Sequence, residues 1–146
     1  MLPSDLPWVA AMERASFGLE AWDLSMLKDE LNGPGRHYFV AEADGEPVGY
    51  AGVYVGPDAA EIMTISVDLA HRGLGYGRVL MARLLAEAQA GGVEAVFLEV
   101  ATDLGPAIGL YESLGFERLG LRKNYYQPSG RDAIVMRLLV DQRDQS

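Results

Sequence analysis

The run Arg72-Gly73-Leu74-Gly75-Tyr76-Gly77 constrains the fold of this chain more than any other. Three glycines in five residues leave the backbone free to curl, and its N–H groups can point inward without interference from a Cβ. Glu61-Ile62-Met63-Thr64-Ile65-Ser66-Val67, before it, reads as a strand. Arg78 to Ala90, after it, reads as a helix, because Leu80, Met81, Leu84, Leu85 and Ala88 recur on one face. The order is therefore strand, glycine loop, helix. Unpaired N–H groups and the positive end of the helix dipole converge in such a loop and make an anion site. A phosphate-bearing ligand is implied. No Lys follows the glycines as a P-loop requires, and their spacing is wrong for the dinucleotide fingerprint. The plainer alternative is a glycine-rich turn that only starts a core helix.

Around this unit the chain reads as one continuous pattern. Leu6 to Phe17 and Trp22 to Leu31 are expected helices, the second ended by Asn32-Gly33-Pro34-Gly35. Tyr38 to Glu42 and Val48 to Val55 are expected strands joined at Asp44-Gly45, with Gly49 and Gly52 interrupting the second. Gly91-Gly92 stops the Arg78–Ala90 helix, and Val93 to Val100 is a short apolar strand that belongs in the middle of a sheet. Pro106 suits the first turn of a helix running to Leu114. Leu119 to Tyr126 and Ala133 to Leu139 are expected to close the chain as a hairpin across Pro128-Ser129-Gly130. The expectation is an α/β fold with a mixed sheet of six to seven strands flanked by about four helices. No linker or repeat interrupts residues 1–146, which are read as a single domain.

Composition narrows the function classes. At 146 residues with 49% hydrophobic content the chain can bury a core. No apolar run approaches the roughly 20 residues of a membrane span, and no signal peptide is visible. Without cysteine there is no disulfide, thiolate ligand or cysteine nucleophile. Two separated histidines, His37 and His71, make a histidine metal cluster improbable, so no metal is expected. A net charge of −9 without a basic patch argues against nucleic acid and favours cationic partners such as a basic peptide or an amine, although plain solubility also explains it. A cytoplasmic location is compatible with all of this.

Two further residues carry chemistry. Glu99 stands near the C-terminal end of the Val93–Val100 strand, on the face of Phe97. Ligands of open α/β sheets gather at the carboxyl ends of strands, and desolvation there would raise an acid's pKa as a general base needs. The alternative is a strand-edge acid in solvent. Tyr111 shares a helical stripe with Ile108 and Leu114. Its position alone favours a core tyrosine, yet its polar end can donate a proton while the ring packs.

These segments resemble the GNAT acetyltransferase superfamily. Arg72-x-x-Gly75-x-Gly77 is similar to its Gln/Arg-x-x-Gly-x-Gly/Ala pyrophosphate loop. Leu98-Glu99-Val100, the run Ala107 to Phe116, Arg122-Lys123-Asn124-Tyr125-Tyr126 and Asp132-Ala133-Ile134-Val135-Met136 follow one another as in its ribosomal-protein-alanine N-acetyltransferase branch. That branch reads Leu-Glu-Val, Leu-Tyr-x-x-x-Gly-Phe, Asn-Tyr-Tyr and Asp-Ala-x-x-Met in this order. From Met12 to Phe39 the resemblance is weak, apart from Trp22.

The resemblance implies acetyl-CoA as co-substrate and the N-terminal α-amine of a protein as acceptor, with a ribosomal protein beginning with alanine as the expected target. It makes Glu99 the general base, acting through water, and Tyr111 the acid that protonates the departing thiolate. Ile65, Ser66 and Val67 fall on the strand backbone that holds the pantetheine arm. Arg72, Gly73, Leu74, Gly75, Tyr76, Gly77 and Arg78 fall on the diphosphate loop. One position departs: Leu104 stands where the family has a cofactor-binding Asn, and Asp103 or Thr102 could substitute only by a register shift. The expected loss is about one hydrogen bond, ~1 kcal/mol. Glu61 also resembles the catalytic Glu of the lysine-acetylating branch, which would make lysine side chains or small amines the acceptors. A non-catalytic acetyl-CoA-binding module is the third reading. Oligomeric state is not legible.

Overall fold

The computed structural model describes residues 1–17, 23–126 and 129–140. Local signals explain most element boundaries. A short 3-10 turn, Pro3–Asp5, leads into helix α1, Leu6–Phe17. Helix α2, Leu24–Asn32, starts where the Asp23 carboxylate accepts the Met26 N–H at 2.9 Å, a side-chain cap for an otherwise orphaned donor. Trp22, expected within this helix, lies outside the described residues. Strands β1, Arg36–Ala43, and β2, Glu46–Val55, form a hairpin about Asp44-Gly45, both at positive φ. Strand β3, Ala59–Val67, returns beside β2 and is followed by a 3-10 turn, Leu69–His71, the glycine loop and helix α3, Tyr76–Ala90. Strand β4 is Ala95–Ala101, helix α4 is Gly105–Ser113, and strands β5, Glu117–Arg122, and β6, Ala133–Leu139, end the described fold.

Among the described residues there are six strands in the order β1-β2-β3-β4-β6-β5 and four α-helices. This is the expected mixed α/β sheet. α1 and α2 cover one face, where Leu6, Val9 and Leu27 bury against Tyr50. α3 and α4 cover the other: Leu80, Met81, Leu84, Ala88, Ile108 and Tyr111 pack on Ala51, Val53, Ile62, Val96, Leu98 and Met136. Each fully buried aliphatic side chain contributes roughly 2 kcal/mol by removing apolar surface from water.

The sequence expectation needs two corrections. Gly49 and Gly52 do not interrupt β2, which runs unbroken past both. Gly52 is needed there, because the Tyr38 ring of β1 lies against it and leaves no room for a Cβ. The final hairpin is also shorter than expected, since β5 stops at Arg122 rather than Tyr126. Asn124 adopts φ 52° and gives its N–H to the Asp132 carboxylate at 2.9 Å, which turns the chain out of the ladder.

One departure from regular pairing creates the site. β3 and β4 are parallel neighbours for only three pairs, Ala59–Ala95, Ala60–Val96 and Glu61–Phe97. Beyond them β3 stays with β2 to Val67, and β4 stays with β6 to Ala101. A bulge coincides with the split: Gly52 pairs with Thr64 and Val53 with Ile62, leaving Met63 as an extra residue in β3. Bulges bend a strand and increase its twist. The sheet therefore opens into two wings, and the inner edges of β3 and β4 carry no ladder to each other past Glu61 and Phe97.

Candidate active site

The opening between the wings is a cleft of about 470 Å³. Its walls are Glu61 to Ile65 on β3 and Leu98 to Ala101 on β4; Glu13, Leu104, Ala107, Tyr111, Tyr125 and Tyr126 complete it. Of the residues singled out in the sequence, Glu61, Ile65, Glu99, Leu104 and Tyr111 meet here. The cleft lies between two strands rather than beyond their ends, because the split begins part-way along them.

Unpaired edges give the cleft its first property. Backbone N–H and C=O groups that lack a ladder seek other partners. An extended ligand bearing amides can lie between β3 and β4 and meet those groups as a strand would. Ser66 and Val67 continue this edge toward the glycine loop.

The loop sits directly after β3. Gly73 and Gly75 have φ of 77° and 93°, a left-handed conformation that glycine adopts without strain. Gly75 is the N-terminal flanking residue of α3, and no side chain caps that end. The first-turn amides of Tyr76, Gly77 and Arg78 lie at that end, where such amides can hold an anion. Arg72 folds back so that its Nε donates to the Val67 carbonyl at 2.9 Å, tying the loop to the strand. Arg78 donates to Ser113 Oγ at 2.9 Å and links α3 to α4. Leu74 is exposed at the loop tip, and the rings of Tyr76 and His71 meet edge to face.

Besides Glu13, the carboxylates of Glu61 and Glu99 line the cleft. Glu99 is 16% exposed, and its Oε1 lies 3.1 Å from Nη1 of Arg122. The Tyr125 hydroxyl also hydrogen-bonds to this carboxylate, and the Tyr126 hydroxyl donates to the Glu99 carbonyl at 3.3 Å. Burial, then this bond, pushes the Tyr125 phenol up to about 12. The Glu61 carboxyl is raised above the usual glutamate range, first by partial shielding at the cleft wall and then by the Glu99 charge; Arg122 opposes the rise.

Tyr111 is 6% exposed, with its ring edge-on to Phe116. Burial pushes its phenol up to about 12, with a smaller push from Tyr126. It is therefore protonated at neutral pH and able to donate. Leu104 stands at the N-terminus of α4, where its side chain makes no capping bond. Asp103 is engaged by Arg131 at 2.6 Å, and neither Asp103 nor Thr102 lines the cleft.

Glu13 is a cleft residue the sequence reading missed. It is 2% exposed on α1 and accepts a hydrogen bond from the Tyr50 hydroxyl, itself raised by burial and by Glu13. The signal was available: an acid on the stripe of Leu6 and Val9, at helical spacing, where an apolar residue belongs. Among the described residues no helix is long and apolar enough to cross a membrane.

A sheet split between two parallel strands, with a glycine loop and a helix start at the end of one of them, defines a class, and comparison with known proteins agrees. Residues 7–116 match the acetyltransferase (GNAT) family, and the chain belongs to that family as an N-acetyltransferase. The N-alpha-acetyltransferase RimI of Mycobacterium tuberculosis is 43% identical over 139 residues, spanning 92% of this chain and 86% of that protein. The crystal structure of the ribosomal-protein-S18-alanine N-acetyltransferase from Escherichia coli superposes with a TM-score of 0.86 at 31% identity, over 97% of this chain and 91% of that one. A putative streptothricin acetyltransferase from Bacillus anthracis, solved in complex with acetyl coenzyme A, matches 77% of this chain and 67% of its own, with a TM-score of 0.69 and 25% identity.

Proposed function

We propose that the protein transfers the acetyl group of acetyl-CoA to the N-terminal α-amine of a protein, with a ribosomal protein beginning with alanine as acceptor. The observation that carries this reading is the meeting of Glu61, Glu99 and Tyr111 in the split between β3 and β4. The likeness to the Escherichia coli ribosomal-protein-S18-alanine N-acetyltransferase supports the acceptor, and the streptothricin enzyme's complex supports the co-substrate. Acting on a ribosomal protein puts the enzyme in the cytoplasm, and residues 1–146 serve as one catalytic domain.

In this reading the diphosphate lies on the amides of Gly73 to Arg78, and the pantetheine amides pair with Ile65 to Val67. The amine nitrogen attacks the thioester carbonyl, and backbone N–H groups of Ile65 to Val67 stabilise the oxyanion. The C–N bond forms, the C–S bond breaks, and Tyr111 protonates the leaving thiolate. Glu99 takes the ammonium proton through water. Transfer is direct, in a ternary complex, and the chain has no cysteine to carry an S-acyl intermediate. An α-amine of pKa about 8 is easier to deprotonate than a lysine of about 10.4 by roughly 3 kcal/mol. The acidic cleft also favours a basic acceptor segment.

The raised carboxyl of Glu61 favours a second reading, with Glu61 as base and a lysine side chain or small amine as acceptor. Glu99→Gln and Glu61→Gln separate the two on a free-alanine peptide. The first reading predicts the larger loss of kcat, about a hundredfold, in Glu99→Gln. A larger loss in Glu61→Gln moves the base to β3.

A further inference from the structure

We propose that the Arg122 guanidinium occupies the place of the acceptor's ammonium at Glu99, so that acceptor binding is an exchange of one cation for another and Arg122 sets the affinity for amines. The inference rests on the reading of the cleft as the acetyl-transfer site.

A carboxylate as shielded as Glu99 needs a counter-charge. Arg122 supplies it from the end of β5. The residues paired beside Arg122 across the sheet are Ala133 and then Ala101, both small and buried, and Glu99 stands two residues before Ala101 on the same face of β4. The guanidinium also stands 5.4 Å from the centre of the Tyr125 ring. It lies within the field of Glu61 as well as Glu99, because it opposes the effect of Glu99 on Glu61.

The hold on Arg122 is light. Arg118 meets Glu112 through two nitrogens, at 3.3 and 3.2 Å, whereas the ion pair of Arg122 with Glu99 is a single contact on a side chain that is 58% exposed. A guanidinium held by one nitrogen and open to water can swing aside. An acceptor ammonium carries the same charge and can reach the same carboxylate through one water, with its other donors left for further partners. Both cations cannot sit on one carboxylate without repulsion, so each arriving ammonium displaces the arginine. Breaking an exposed ion pair costs little, and the exchange weakens acceptor binding by roughly two- to fivefold.

The test is the calorimetric Kd of an alanine-initiated basic peptide. Arg122→Gln is expected to bind it two- to fivefold more tightly than the unaltered protein, with the acetyl-CoA Kd unchanged as the control for folding. Arg122→Lys, which keeps the charge, is expected to restore the weaker binding. Unchanged or weaker binding by Arg122→Gln overturns the proposal, and so does tighter binding by Arg122→Lys. In the unaltered protein, the Arg122 side-chain N–H resonances should move to solvent-exposed positions as peptide is added; if they stay in place, the exchange does not occur. Thiol release by the unaltered protein, followed in parallel, judges the acetyl-transfer reading separately.

Discussion

Replacing Tyr111 by phenylalanine removes one oxygen atom and leaves the packing of the ring in place. The ring is 6% exposed and edge-on to Phe116, and those contacts survive the substitution. The fold should change by less than about 1 kcal/mol, since only the net worth of one hydroxyl is at stake. The chemical consequence is far larger. Burial has pushed the phenol up to about 12, a bias of roughly 3 kcal/mol against the phenolate, so the proton is present at every pH where the enzyme works. In the proposed reaction the leaving thiolate takes that proton, and a positioned general acid is worth on the order of 10²–10⁴ in rate. We expect kcat to fall at least a hundredfold, with acetyl-CoA Kd within about twofold of the parent. Thiol release gives the first quantity and calorimetry the second. Turnover within about threefold of the parent refutes the donor role. A parallel loss of acetyl-CoA binding would instead make Tyr111 a wall of the cofactor site.

Other substitutions probe the remaining parts. Gly75→Ala forces a Cβ into φ 93° with nothing within 4 Å of it, so its cost is backbone strain alone. At about 1–2 kcal/mol it should lower Tm by about 5 °C and raise the acetyl-CoA KM; an unchanged KM would detach the loop from the cofactor. Leu104→Asn supplies the missing N-cap of α4, worth about 1 kcal/mol of stability, and should tighten acetyl-CoA binding about fivefold through one hydrogen bond. Weaker binding would show that the leucine packs on the cofactor. Glu61 sets a pH dependence. A carboxyl raised in the folded state holds its proton more tightly there, so stability drains away as pH rises from the ordinary glutamate value through that of Glu61. Glu61→Gln removes this loss, and its Tm should fall less than the parent's from acid to neutral pH; parallel melting curves would count against the shielding of Glu61.

Local patterns made much of this fold legible. The stripe of Leu80, Met81, Leu84 and Ala88 announces α3, and α1 and β6 run between the residues their sequences suggest. Signals that depend on distant partners were not legible. The split after Glu61 and Phe97 is set by a bulge at Met63, which is a matter of register against β2 and leaves no mark in the composition of β3. Where β5 ends is likewise decided by Asp132, eight residues beyond Asn124. At the site, Glu99 and Tyr111 could be singled out by type and position, and Glu61 only through the family resemblance. That Arg122 would answer Glu99, or that Asp103 would turn to Arg131, depends on pairings across the sheet that sequence spacing does not encode.

Thiol release from acetyl-CoA on two short basic peptides tests the central claim most directly. One carries a free N-terminal alanine; the other is N-terminally blocked and carries an internal lysine. The account predicts turnover on the free alanine peptide and none on the blocked one. Turnover on the blocked peptide alone would contradict it, moving the acceptor to lysine and the base to Glu61.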